Sequence, residues 1–195
     1  MVTEKMEEKQ ERHVGIDLGL TEAEKNYLRQ LAKAEITARF RQPDPLPEIP
    51  AGGHLEEKRG AFVTLTKQGA LRGCIGHIQG TRPLVETIRE MARAAAFSDP
   101  RFPPVAEAEL DQLELEISVL TPLKLVKDIE EIKVGIHGLY IECQGYAGLL
   151  LPQVATEYGW GREEFLAHTC MKAGLSTNCW QQSETKIYLF SADIF

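Results

Sequence analysis

Arg72, Cys74 and Gly76 occupy alternate positions of the run Leu71-Arg-Gly-Cys-Ile-Gly76. On a regular strand, alternate residues share one face. Arg72 and Cys74 then lie about 7 Å apart along that face. A guanidinium at that range favours the thiolate and lowers the thiol pKa where water is kept away. Gly76 presents no side chain beside the sulfur and leaves space for a ligand or a second backbone. The pattern outlines a reactive cysteine or an anion site, with Cys74 and Arg72 as candidate catalytic residues and Gly73 and Gly76 as candidate substrate-binding positions. The competing account is structural: Cys74 is a small buried hydrophobe, the glycines permit tight sheet packing, and Arg72 pairs with an acid. His77 points to the opposite face, and it reaches Cys74 only if a bulge at Gly76 reverses the alternation.

Asp99 and Arg101 stand in a second run, Asp99-Pro-Arg-Phe-Pro-Pro104. Prolines stiffen it, so the pair is either an ion pair that pins a loop or a rigid clamp at the mouth of a site. As a clamp, Arg101 offers a planar fork to a carboxylate or phosphate, and both residues are candidate substrate-binding groups. Cys143 and Cys170 fall on apolar stripes, and Cys179 precedes Trp180 in a loop. No Cys-x-x-Cys pair or tight Cys/His spacing occurs, so no metal site is expected; the sequence predicts no cofactor and leaves open whether one is held. The four cysteines are expected as free thiols in a reducing cytoplasm. Arg82, Arg89 and Arg93 alternate with Glu86 and Glu90 along one helix, the pattern of a solvated face. Aromatics make up 7% of the chain with no basic-aromatic platform, which argues against nucleic-acid binding.

These candidates need elements to hold them. Thr21-Glu-Ala-Glu24 has the capping-box form and opens an amphipathic helix with Leu28, Leu31, Ala32, Ile36 and Phe40 on one stripe. Prolines between 43 and 50 end it and predict an extended crossing segment. Strands are expected over 61–66 and 71–78, turning at Gln68-Gly69. A helix capped by Thr81, with Pro83 in its first turn, follows and stops near Ser98. Residues 113–120 alternate as a strand, and 138–143 and 146–151 form a hairpin turning at Gln144-Gly145. Helices follow from Pro152 and from Arg162, the second ended by Gly174, and 186–190 is a last strand. The whole reads as an α+β fold with largely antiparallel sheet and packed helices, either one domain or two interleaved lobes. The chain has 195 residues, 43% apolar and 26% charged, with 22 Lys and Arg against 29 Asp and Glu, a formal charge of -7. That is a globular composition, with no apolar run long enough for a bilayer and no overall basic balance suited to phosphate backbones. Residues 1–20 read as a disordered, charged arm and 21–195 as the domain.

The run Leu71-Arg-Gly-Cys-Ile-Gly76 resembles the signature of the AMMECR protein family. Its bacterial and archaeal members are known as protein A of the AmmeMemoRadiSam system. The resemblance extends through Phe62-Val-Thr-Leu65, Asp99-Pro-Arg-Phe102, Ile117-Ser-Val-Leu120, Gly148-Leu-Leu-Leu-Pro-Gln-Val154, Lys172-Ala-Gly-Leu175 and Trp180, from about Thr21 to the C-terminus. His77 departs from the small residue expected after the signature. The resemblance implies an intracellular α+β protein whose gene sits beside those of a Memo-type protein and a radical SAM protein. Memo-type proteins in turn resemble non-haem iron dioxygenases. Two functional expectations follow. The first is an enzyme, or the substrate-handling subunit of one, that uses Cys74 and Arg72 in a cleft on a small anionic metabolite exchanged with the Memo-type and radical SAM proteins. The second is a non-catalytic adaptor whose signature strand builds a docking surface.

Overall fold

The computed structural model describes residues 14–51 and 53–195. Helix α1, Glu22–Thr37, starts where its capping box predicts. Thr21 Oγ1 accepts from the Glu24 amide at 3.2 Å, and the Glu24 carboxylate accepts from the Thr21 amide at 2.9 Å. After the proline-rich crossing, β1 (Ala61–Lys67) and β2 (Ala70–His77) form a tight hairpin. Gln68 and Gly69 both take positive φ there, 52° and 76°, which matches the twist of the flanking strands. Helix α2 (Leu84–Phe97) is followed by β3 (Leu113–Leu120) and a two-residue strand, β4 (Lys124–Leu125). A second hairpin joins β5 (His137–Cys143) to β6 (Tyr146–Leu150). Helices α3 (Pro152–Glu157) and α4 (Arg162–Lys172) then lead to β7 (Lys186–Ile194). Gly174, with φ of 76°, closes α4, and the Leu175 amide donates to Cys170 O at 3.0 Å.

All strands join one antiparallel sheet of order β2-β1-β3-β7-β5-β6, with β4 also paired to β7. Strand β7 makes this one sheet rather than two. Its residues 186–191 pair with β5, and 192–194 pair with β3. Helices α1 and α2 cover one face of β1–β3 around Leu28, Leu31, Val63, Leu65, Ile88 and Ile117. Helix α4 covers the β5–β6 half around Leu139, Ile141, Phe165 and Leu166. A small cluster of Leu120, Leu151, Phe190 and Ala192 joins the two at the bend of β7. The chain is therefore two interleaved lobes on a shared sheet, the α+β architecture expected. Among the described residues no helix is long and apolar enough to cross a membrane.

Several local expectations are corrected. Most of the expected arm, residues 1–13, lies outside the described residues, but the part that is described is packed. The Gly15 amide donates to Gly135 O and the Ile16 amide to Ala192 O, both at 2.8 Å, and Leu20 is buried. Helix α2 is capped by position rather than by Thr81. Pro83 occupies the N-cap without a side-chain bond, and the Leu84 amide donates to Glu57 O at 2.9 Å because the crossing segment docks there. Strand β7 runs four residues past the expected end, since it changes partners at Ser191–Asp193. That polar break hides an element whose buried Asp193 pairs with Lys25 at 2.8 Å. The cysteines are not all free thiols: Cys170 and Cys179 are bridged, while Cys74 and Cys143 are free. Local spacing pointed to no pair. The turn at Gly174 brings the end of α4 back against residues 179–181, with the two Cα atoms 6.0 Å apart.

Candidate functional site

Strand β2 is irregular at the point on which the expected chemistry depends. Leu65 faces Gly73 and Thr66 faces Leu71, so Arg72 is the extra residue of a β-bulge. The bulge breaks the alternation between Arg72 and Cys74. Arg72 turns to Glu109, donating from Nε at 3.1 Å and from Nη2 at 2.9 Å, and Lys67 joins the same carboxylate at 3.1 Å. The shared face of Arg72 and Cys74 is thus overturned, and Arg72 is the acid-paired structural arginine of the competing account. Gly73 opposes Leu65 on the helix side, and a Cβ there would lie 2.1 Å from Ala95 O of α2. The glycine lets that helix approach and is not among the residues that line the cleft between the lobes. Gly76 is not vacant either. It pairs with Phe62, whose ring would stand 2.3 Å from an added Cβ. The aromatic ring fills the space the glycine leaves.

Cys74 points the other way, into a cleft of about 1040 Å³ between the lobes. Its neighbours come from the second signature run. The Cys74 amide donates to Asp99 Oδ2 at 2.9 Å, and Arg101 Nη2 donates to Cys74 O at 3.2 Å. Arg101 also grips Asp99, from Nε at 2.9 Å and from Nη2 at 2.7 Å. β2 is an edge strand, so these two side chains bond its open amide and carbonyl as a neighbouring strand would. Sequence reasoning paired Arg72 with Cys74; the structure puts Arg101 there instead.

The surroundings of the thiol work against its ionisation. Burial pushes the Cys74 pKa up, against a smaller opposing pull from the Thr64 hydroxyl, which donates to Sγ at 3.2 Å, and from Arg101. The expected lowering is thereby reversed. Alkylation of Cys74 by iodoacetamide is expected to be slower at pH 7.5 than that of an unfolded thiol, with a pH midpoint above the ordinary value of about 8.5. A midpoint below that value, measured by mass spectrometry of the modified peptide, would restore the reactive-thiolate reading. His77 takes no part: it lies near Glu90, Nε2 to Oε1 3.8 Å, on the far side.

The rest of the cleft was not legible as a site. On β3, Glu114, Glu116 and Ser118 alternate with apolar residues, the ordinary signature of a face turned to water. Instead α3 lies across that face. Its Gln153, Val154 and Glu157, at helical spacing, and Tyr158 just past its end all line the cleft. Gln153 Nε2 donates to Glu116 Oε1 at 2.9 Å and lies 3.3 Å from Ser118 Oγ. Gln153 Oε1 is buried with no hydrogen-bond partner among the described residues. Burial raises the Glu116 pKa, and the nearby Glu157 charge adds to that. Lys172, at the end of α4, completes the rim. No three His, Cys, Asp or Glu side chains among the described residues are grouped as metal ligands would be.

The family model of AMMECR1 matches residues 29–195. A protein of Methanothermobacter thermautotrophicus is 49% identical over 163 residues, which is 80% of this chain and 82% of that one. A protein of Thermococcus kodakarensis is 49% identical over 178 residues, 86% of each chain. The fold is similar to the crystal structure of the uncharacterised protein PH0010 from Pyrococcus horikoshii, with a TM-score of 0.80 and 43% identity, covering 90% of this chain and 91% of that one. On sequence and on fold alike, the chain belongs to the AMMECR1 family.

Proposed function

We propose that this AMMECR1-family protein is a small-molecule-handling subunit whose ligand sits in the cleft between the lobes. It rests there against Cys74, Thr64 and Glu116, cross-strand neighbours on one sheet face, with the Asp99–Arg101 pair beside them, and against Gln153 of α3 on the other side. The observation that carries this reading is the cleft itself, about 1040 Å³, where Thr64, Cys74 and Glu116 of the sheet meet Gln153 and Glu157 of the α3 segment. Substrate handling fits the site better than thiol catalysis, because the contact at Cys74 Sγ is a hydroxyl and not a base. The lining also changes the expected ligand. Asp99, Glu114, Glu116 and Glu157 stand against Arg101 and Lys172, so the cleft disfavours the small anion inferred from Arg72.

In this reading the ligand is exchanged with a Memo-type or radical SAM protein in the cytoplasm. The Cys170–Cys179 bridge is then among the minority that persist in a reducing compartment. Titrating the ¹⁵N-labelled protein with a mixed set of neutral, cationic and anionic small molecules tests the reading. Binders are expected to shift the amides of residues 64, 74, 116 and 153, and Thr64→Trp, which fills the cleft floor, is expected to abolish those shifts. If no compound of any class moves these amides, the proposal fails.

A further inference from the structure

Resting on the cleft-binding reading, we infer that the ligand is an organic cation built on a flat ring with N–H donors, held between the Tyr158 ring and the carboxyl groups of α3 and β3. The first observation is an aromatic stack. Tyr158 lies on Trp160 with ring centroids 4.9 Å apart and 15° between planes. Trp160 in turn lies on His168, 3.8 Å apart and nearly parallel at 4°. Trp160 packs partly against the core of the second lobe, so it fixes one face of Tyr158 from behind. Gly159, at φ 68°, makes the reversal that folds Trp160 back onto its neighbour. Tyr158 is nonetheless 69% exposed and lines the cleft, so its other face is open to a ligand there. A large aromatic held rigid on one side and bare on the other is a stacking platform for a flat ring.

The second observation is independent of the first and concerns charge. Glu116 of β3 and Glu157 of α3 both line the cleft, so a positive group there meets two carboxyl groups. Gln153, one helical turn before Glu157, lines the same wall and holds Glu116 in place through its Nε2. A planar cation with N–H edges, such as an amidinium or a protonated aminoheterocycle, answers each feature at once. Its ring lies on Tyr158, its charge faces the two glutamates, and its N–H groups donate to their carboxyl oxygens.

Three probes separate these components: benzamidine, benzoate with the same ring and the opposite charge, and cyclohexylamine with the charge but no flat ring. Benzamidine is expected to shift the amides of 116, 153 and 157–158 at the lowest concentration of the three. Tyr158→Leu is expected to weaken benzamidine about tenfold and Tyr158→Phe to retain it. Glu157→Gln is expected to cost roughly threefold. Both positions are exposed, and unchanged melting of the variants confirms that they fold. Equal or tighter binding of benzoate or cyclohexylamine in the cleft, or full affinity in Tyr158→Leu, overturns the assignment of ligand class while leaving the cleft reading intact. Silence from all three probes and from the wider compound set removes the cleft reading and this inference together.

Discussion

Asp99→Ala lowers the unfolding free energy by about 3 kcal/mol, far more than an exposed ion pair would account for. The carboxylate is 4% exposed and serves three groups: the Cys74 amide, the Arg101 amide and the Arg101 guanidinium. Removing it leaves a sheet-edge N–H without an acceptor and frees the arginine from Cys74 O. Arg101→Met costs less, about 1 kcal/mol, because the guanidinium is 44% exposed and water replaces part of its bonding. Urea denaturation measures both, and hydrogen exchange at the Cys74 amide accelerates in Asp99→Ala. A variant whose midpoint equals that of Arg101→Met would show that the amide bond contributes nothing. The same residue sets part of the acid limb. Arg101 holds the Asp99 carboxyl well below the usual carboxylate range, and Arg72 holds Glu109 down to about 2. Both groups bind more protons unfolded than folded, so their stabilisation is complete above the ordinary carboxylate range of about pH 4. It is lost as the pH falls below that range, through about 2 for Glu109 and further down for Asp99, and Asp99→Asn removes its share of that slope.

Gly73→Ala costs about 3 kcal/mol or more, although it adds one methyl group to a strand. The methyl would sit 2.1 Å from Ala95 O and 3.1 Å from Ala95 C, both backbone atoms inside α2. A side chain could rotate away; a helix backbone cannot, so α2 must lift from β1 and β2. That movement opens the core in which Ile88, Met91 and Ala92 are buried. Gly69 is the control. At φ 76° with nothing within 4 Å of an added Cβ, its replacement by Asn, which tolerates that conformation, costs well under about 1 kcal/mol. Chemical denaturation of the two variants compares close approach with turn conformation. A Gly73→Ala midpoint no lower than that of Gly69→Asn would show that α2 yields without strain.

Much of the architecture is written in short stretches of the chain. The Thr21–Glu24 box starts α1, paired positive-φ residues turn both hairpins, and the alternation over 113–120 marks β3 to the residue. These are decided by neighbours within a few residues, where propensity, capping and period agree. The kinship is equally legible, since Leu71–Gly76 and Asp99–Phe102 are contiguous runs. Their relation to each other is not. A strand with period two predicts Arg72 beside Cys74; a single bulged residue sends Arg72 to Glu109 and brings Arg101 to Cys74 from 27 positions away.

The polar face of β3 carries the same lesson. Glu116 and Ser118 look like residues turned to water, and only the placement of α3 across them makes a cleft wall with Gln153. Local sequence decides which segments become helix, strand or turn, because those choices rest on bonds between near neighbours. Which faces are covered, which charges meet and which cysteines join depends on contacts between distant segments. Those are resolved only when the last strand closes the sheet between the two lobes.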